Sequence, residues 1–104
     1  MSTFDPAVEL EKLSVEYRGR IEALRQDHAR SHSPDSAEQA LERENDEVLE
    51  ALLGESQAAL RKVEKARERL SEGAYGYCAK CGEAIGSQRL AVMPMAECCV
   101  QCAD

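Results

Sequence analysis

The sequence predicts an all-α fold, an antiparallel coiled-coil helical hairpin followed by a small cysteine-rich C-terminal module. Ala, Glu, Lys, Leu and Arg make up about half of the 104 residues, a composition typical of long helices and coiled coils. Apolar residues recur at steps of three and four over most of the chain. All five cysteines lie at or after Cys78, which sets the C-terminal end apart.

The first helix is predicted to begin at Asp5 and Pro6. Asp accepts hydrogen bonds from free amides at a helix N-cap, and Pro suits the first helical position. One apolar stripe follows, formed by Leu10, Leu13, Tyr17, Ile21 and Leu24. The stripe then fades, and Pro34 disfavours helix at Ser33, so we expect a turn at about residues 31–36.

The second helix is predicted to run to about Ser71, with Gly73 as its C-terminal cap. Asn45 and Ser56 interrupt its apolar stripe. The stripe is formed by Ala37, Leu41, Val48, Leu52, Leu60, Val63 and Leu70, with Ala40, Leu49, Leu53, Ala59 and Ala66 beside it.

Neither helix can bury its stripe alone, so the two helices are expected to pack on each other as a hairpin. Gly19 and Gly54 lie inside the predicted helices, where we expect them to let the two backbones approach. The sequence thus divides into a coiled-coil hairpin over residues 1–72 and a cysteine-rich module over residues 73–104.

The charge of the chain excludes several classes of function. The 13 basic and 20 acidic side chains give a net charge of −7, which argues against a protein that grips nucleic acid by its phosphates. No apolar run approaches the roughly 20 residues of a membrane span, and the N-terminus has no secretory signal pattern. We therefore expect a cytoplasmic protein whose cysteines are reduced.

Charge is unevenly distributed along the predicted second helix. Residues 35–50 hold seven acids and one base, whereas residues 61–69 hold five bases and two acids.

The cysteine spacing predicts a zinc site. Cys78 and Cys81 are separated by two residues, as are Cys99 and Cys102, and 17 residues lie between the two pairs. Such pairs place four thiolates around one tetrahedral Zn²⁺. Because four cysteines leave no coordination position open, the ion is expected to be structural, and its binding energy becomes folding energy for the module. Two disulfides could use the same spacing, but a reducing compartment favours the metal.

Cys98 leaves alternatives open. It could replace Cys99 as a ligand, although the spacing to Cys102 would then be three residues and no longer symmetrical. The symmetrical spacing favours Cys99 as the ligand, and Cys98 is then a small buried apolar residue or, as the alternative, a redox-sensitive thiol beside the zinc.

The segment from Tyr75 to Ala103 resembles the zinc finger of the DksA/TraR family. The matched elements are Y-G-x-C-x-x-C-G, I-x-x-x-R-L, Pro-x-Ala before the third cysteine, and C-x-x-C-A. The predicted hairpin extends the resemblance over nearly the whole chain. It implies a monomeric regulator of RNA polymerase that inserts its coiled coil into the secondary channel and alters open-complex stability without binding a DNA sequence.

The family carries the pattern D-x-x-D-x-A at the tip of its coiled coil. Counting back from Cys78 by the family spacing gives Asp35, Glu38 and Ala40, so this sequence reads D-x-x-E-x-A. The resemblance implies that the two carboxylates act near the polymerase active site. The same residues also form a helix-start pattern, since acids favour a helix N-terminus.

The resemblance departs from the family at the residues that serve guanosine tetraphosphate (ppGpp). Lys62 falls on one basic position of the responsive members, but Met93 and Ala103 occupy two others, and little chain follows the last cysteine. We expect polymerase regulation with a weakened ppGpp response or none. No nucleophile–base pair, phosphate loop or open metal site predicts an enzyme. A thiol/zinc redox sensor and a coiled-coil protein with another partner remain as alternatives.

Overall fold

The computed structural model describes residues 4–29 and 36–103, and for residues 36–42 only the backbone. It contains two long helices and one short helix: α1 is Pro6–Ala29, α2 is Ser36–Ser71 and α3 is Ser87–Val92.

The described residues contain no β-strand, which confirms the all-α fold class. An isolated antiparallel bridge joins Tyr77 to Ala84 just before α3. Of the predicted turn at residues 31–36, residues 31–35 lie outside the described residues, and Ser36 is already the first residue of α2.

The start of α1 follows from its first two residues. Asp5 Oδ1 accepts a hydrogen bond from the Ala7 amide at 3.1 Å, and the Asp5 carbonyl accepts one from the Glu9 amide at 2.9 Å. Asp5 is therefore the N-cap, and Pro6 takes the first helical position, where its missing N–H costs no hydrogen bond.

Gly73 ends α2. The Ala74 amide donates to the Arg69 carbonyl at 2.8 Å, and the Gly73 amide donates to the Leu70 carbonyl at 3.2 Å. This pair of bonds is a Schellman motif, which needs a left-handed residue, and Gly73 has φ +79°. The chain reverses here and enters the cysteine-rich module.

The two long helices pack antiparallel, as side-chain pairs at opposite ends of α1 show. Ser14 Oγ donates to Glu64 Oε1 at 2.6 Å, and His28 Nε2 lies 3.4 Å from Glu50 Oε1. Residues later in α1 thus meet residues earlier in α2. The result is an elongated molecule with extents of 57 × 28 × 26 Å over the described residues.

The predicted stripe of α1 faces α2. Leu10 and Ile21 are buried, whereas Leu13, Tyr17 and Leu24 are half-buried. Ser14 also lies in the contact between α1 and α2, which we call the seam, and it is only 2 % exposed. A polar residue thus occupies a position that the apolar stripe did not include.

The seam of α2 differs from the predicted stripe in the half nearer the turn. Val48 is 58 % exposed and Leu52 is 43 % exposed. Their neighbours Leu49 and Leu53 are half-buried instead, and Ser56, which was expected to interrupt the stripe, is buried. The seam therefore runs one residue further along α2 than predicted, because the position of α1 decides which of two adjacent apolar rows it covers.

The expected role of the two helix glycines is wrong. A Cβ atom built on Gly19 or on Gly54 would have no heavy atom within 4 Å. Both residues are exposed, so neither one permits a close approach of the two helix backbones.

The module rests on the end of the hairpin formed by the start of α1 and the end of α2, which we call the base. Leu10, Val63 and Ala66 form a buried cluster there, against which Tyr75 and Met95 of the module pack. The Tyr75 hydroxyl donates to the Pro94 carbonyl at 2.8 Å, and burial raises the pKa of this phenol. This packing positions the cysteines against the hairpin.

Candidate metal centre

The first cysteine pair lies on a tight turn. The Cys78 amide donates to the Glu83 carbonyl at 2.7 Å, and the Gly82 amide donates to the Cys78 carbonyl at 2.9 Å. Gly82 has φ +78°, a left-handed conformation that favours glycine. The turn directs Cys78 into the module, where it is 4 % exposed, and leaves Cys81 at the surface.

The second pair lies on a turn of its own. The amides of Cys102 and Ala103 donate to the Cys99 carbonyl at 3.1 Å and 2.9 Å. One backbone bond then joins the two turns, from the Ala79 amide to the Glu97 carbonyl at 2.8 Å. It brings together two segments that are 18 residues apart in the sequence.

The four sulfur atoms lie close enough together to surround one zinc ion. The Sγ atoms of Cys78, Cys81, Cys99 and Cys102 all lie within 4.8 Å of one another. The sulfurs of Cys81 and Cys99 are 3.8 Å apart, and a tetrahedron with Zn–S bonds of about 2.3 Å has edges of about 3.8 Å. All five cysteines are free, and a disulfide needs about 2.05 Å. The four thiolates can therefore hold one Zn²⁺.

The thiols of this cluster differ in pKa. Backbone amides of Cys81 and Cys99 donate to the Cys78 sulfur and lower the pKa of Cys78 to about 5. Contacts with the sulfurs of Cys99, Cys81 and Cys78 raise the pKa of Cys102 to about 12. Zinc must therefore displace protons when it binds, and its affinity should rise with pH.

Three cations hold the backbone around the cysteines. Arg69 of α2 donates to the Glu97 carbonyl at 3.3 Å and also to the Tyr77 carbonyl. Lys80 Nζ donates to the Cys102 carbonyl at 3.2 Å, and Arg89 Nε donates to the Cys98 carbonyl at 3.0 Å. These two bonds hold the backbone of the second cysteine pair. Four thiolates with Zn²⁺ carry a net charge of about −2, which these cations offset. The sequence showed these residues only as basic positions and did not reveal this role.

Cys98 lies beside the cluster but outside the group of four close sulfurs, which contains Cys99 instead. The Cys98 side chain is half-buried and packs against the buried residues of the module. Burial is the largest cause that raises the pKa of its thiol, and the charge on Cys78 adds to it. A raised pKa disfavours the thiolate and with it the reactivity of a redox sensor.

A groove between α2 and the module gathers the positions that the family resemblance associated with ppGpp. Lys62, Met93 and Ala103 all line this groove, whose volume is about 330 Å³. Lys80 and Arg89 line it as well. The groove thus brings together three cations and one acid, Glu97, on a chain whose net charge is −7.

The predicted tip is described only in part. Asp35 lies outside the described residues. Glu38 and Ala40 belong to the beginning of α2, where only the backbone is described. None of the described helices combines the length and the apolar character that crossing a membrane requires.

The fold and the site together define a two-helix coiled-coil protein with a structural four-cysteine zinc module. Residues 73–104 match the profile of the prokaryotic dksA/traR C4-type zinc finger. Residues 8–70 match the profile of the DnaK suppressor protein-like N-terminal domain. The chain therefore belongs to the DksA/TraR family, as the resemblance predicted, and the zinc assignment is confirmed.

Several relatives show the extent of this similarity. RNA polymerase-binding transcription factor DksA of Haemophilus influenzae is 32% identical over 88 residues, which are 85% of this chain and 60% of that protein. Its counterpart in Escherichia coli is 30% identical over 77 residues, or 74% of this chain and 50% of that protein. The chain thus spans about half the length of the curated relatives it matches.

A solved structure has the same fold. Transcription factor DksA2 from Pseudomonas aeruginosa matches 92% of this chain and 72% of its own, with a TM-score of 0.72 and 32% sequence identity.

Proposed function

We propose that this chain binds RNA polymerase and regulates transcription without catalysing a reaction. The observation that carries the proposal is the combination of the hairpin with a four-cysteine module in a chain similar over 85% of its length to a polymerase-binding relative. The hairpin over residues 1–72 is the part that enters the secondary channel. The module over residues 73–104, held by Cys78, Cys81, Cys99 and Cys102, supports it from the rim. The protein acts as a cytoplasmic monomer in this complex.

The tip carboxylates are the proposed effectors. Asp35, Glu38 and Ala40 are the residues that the resemblance assigns to the tip of the coiled coil. Negative charge near the catalytic Mg²⁺ or a mobile active-site element would shift the stability of the open complex. This mechanism needs no covalent step, and it uses the acidic end of a molecule that is unsuited to direct binding of DNA.

The groove at the base is the proposed place for a weakened ppGpp response. Lys62 supplies one of the basic positions of responsive relatives, and Met93 and Ala103 leave two without charge. Lys80 and Arg89 lie in the same groove, but their side chains already donate to backbone carbonyls. Fewer cations are then free to bind phosphates, so ppGpp should enhance the regulation weakly or not at all.

In vitro transcription from a ribosomal RNA promoter tests the tip. Asp35→Asn retains helix capping, because Asn caps about as well as Asp, but it removes the charge. We expect wild-type protein to change the open-complex lifetime and Asp35→Asn to lose most of that effect. Glu11→Gln, a neutralised exposed acid at the other end of the hairpin, is the matched control and should act as wild type. A fully active Asp35→Asn would refute the role of the charge, and an inactive wild type would refute the polymerase proposal.

A further inference from the structure

The guanidinium of Arg69 lies where α2 meets both cysteine turns of the module. Its Nη1 donates to the Glu97 carbonyl at 3.3 Å, and its Nη2 donates to the Tyr77 carbonyl. Tyr77 directly precedes Cys78 in the sequence. Glu97 lies two residues before Cys99. One side chain of the hairpin therefore binds the backbone just before the first ligand of each cysteine pair.

Arg69 also closes the end of α2. Its backbone carbonyl accepts the hydrogen bond of the Ala74 amide at 2.8 Å, and its Nη2 donates to the Ala74 carbonyl at 3.5 Å. Both polar backbone groups of Ala74 are therefore bound by one residue of the helix. Because Ala74 begins the segment that leads from Gly73 to Cys78, the cap of α2 and the two cysteine turns share one anchor.

Two other cations near the cysteines have different surroundings and serve as comparisons. Arg89 Nε donates to the Cys98 carbonyl at 3.0 Å, and both of these residues belong to the module. Lys65 lies on α2 one turn before Arg69 and lines the same surface pocket. The Lys65 side chain is exposed and forms no hydrogen bond or ion pair with the residues that the structure describes. The bonds of Arg69, by contrast, join α2 to both cysteine turns.

We propose that Arg69 is a positioning residue that couples zinc binding in the module to the order of the end of α2. Zinc holds the four cysteines together, which fixes the carbonyls of Tyr77 and Glu97 relative to each other. The donors of a guanidinium form a rigid planar fork, so Arg69 binds both carbonyls best in one arrangement. Such a coupling is reciprocal: bound zinc orders the end of α2, and an ordered end raises the affinity for zinc. The coupling does not rest on the polymerase function proposed above.

The zinc affinity of the full chain, measured by competition with a chelator at fixed pH, tests one direction of the coupling. Arg69→Met keeps an unbranched apolar stem but removes every donor, and we expect it to weaken zinc binding about tenfold, the lower end of the range for groups that orient metal ligands. Arg69→Gln, whose side chain is too short to reach both turns, should lose as much, which separates the lost bonds from an effect of the apolar side chain. Lys65→Met is the matched control, because it removes a positive charge from the same helix but breaks no bond to a carbonyl, and it should bind zinc as wild type does. Wild-type affinity in both Arg69 variants, or an equal loss in Lys65→Met, would overturn the proposal.

Amide hydrogen exchange of the same proteins, followed by NMR at saturating zinc, tests the other direction. The amides of Gly73 and Ala74 should exchange about tenfold faster in Arg69→Met than in wild type, because reciprocal coupling predicts the same factor at both ends. Arg89→Met should also weaken zinc binding, since Arg89 holds the backbone of the second cysteine pair, but at saturating zinc it should leave the exchange of these two amides unchanged. Unchanged exchange in Arg69→Met would overturn the proposal and leave the packing of the module on the base as the connection. Equal acceleration in Arg69→Met and Arg89→Met would also overturn it, because the effect would then not depend on the bonds between α2 and the module.

Discussion

Replacing Ser14 with Ala should destabilise the hairpin by removing the centre of a charged network. The Ser14 side chain is buried in the seam, and its Oγ donates to Glu64 Oε1 at 2.6 Å. Ser14 Oγ also accepts hydrogen bonds from Arg18 Nε at 3.2 Å and from Arg67 Nη1 at 3.3 Å. One hydroxyl therefore connects a carboxylate and two guanidinium groups across the two long helices.

The size of the effect follows from two opposing contributions. A hydrogen bond to a charged group contributes about 1.5–3 kcal/mol. The Glu64 side chain is 36 % exposed, so screening by solvent places the loss near the lower end of that range. Ala is a better helix former than Ser by about 0.5 kcal/mol, which offsets part of the loss. We expect Ser14→Ala to lower the free energy of unfolding by about 1 kcal/mol.

The effect should depend on pH through Glu64. The hydrogen bond from Ser14 is the largest cause that lowers the pKa of Glu64, and Arg67 and Arg18 lower it further. A carboxyl whose pKa is lower in the folded state stabilises the fold above its unfolded pKa, and this contribution is lost as the pH falls through the folded pKa. In Ser14→Ala the pKa of Glu64 moves up, so the difference between the two proteins should shrink in acid.

Urea unfolding at pH 7, followed by circular dichroism, measures the free energy, and an NMR titration of the Glu64 carboxyl measures the pKa. Ser56→Ala is the matched control, because Ser56 is also buried in the seam but has no charged partner among the described residues. It gains the same helix propensity and should be neutral or stabilising. Equal effects of Ser14→Ala and Ser56→Ala, or an unchanged pKa of Glu64 in Ser14→Ala, would refute the reasoning.

Two further changes test the zinc ligands and the glycines. Cys99→Ser should lose the zinc, whereas Cys98→Ser should keep one zinc per chain, because only Cys99 belongs to the four close sulfurs. A colorimetric zinc-release assay measures both, and the opposite result would show that Cys98 is the ligand. Gly54→Ala should raise the free energy of unfolding by up to about 1 kcal/mol, since the added Cβ meets open space in a helix. Gly73→Ala should lower it, because Gly73 has φ +79°; urea unfolding that gave both substitutions the same sign would contradict this account.

The ends of the helices could be predicted because they depend on neighbours in sequence. Asp5 and Pro6 start α1 as expected, and Gly73 ends α2 through bonds to residues within five positions. Local hydrogen bonds and backbone preferences decide such ends wherever the helices lie in the fold.

The sequence predicted the four cysteines of the candidate site, but it did not predict the hydrogen bonds that hold the two cysteine turns together. The spacing within each cysteine pair brings two sulfurs together, which is again a local property. The bond from the Ala79 amide to the Glu97 carbonyl and the bonds from Arg69 join segments distant in sequence. The groove that gathers Lys62, Met93 and Ala103 exists only because the module folds back on α2.

The sequence by itself determined two amphipathic helices, their ends and a four-cysteine zinc module. Only the tertiary structure decided which side of α2 forms the seam. Helical periodicity gives α2 a broad apolar face but does not say where along that face the partner helix lies. The position of α1 buries Leu49, Leu53 and Ser56 to differing degrees and leaves Val48 and Leu52 exposed.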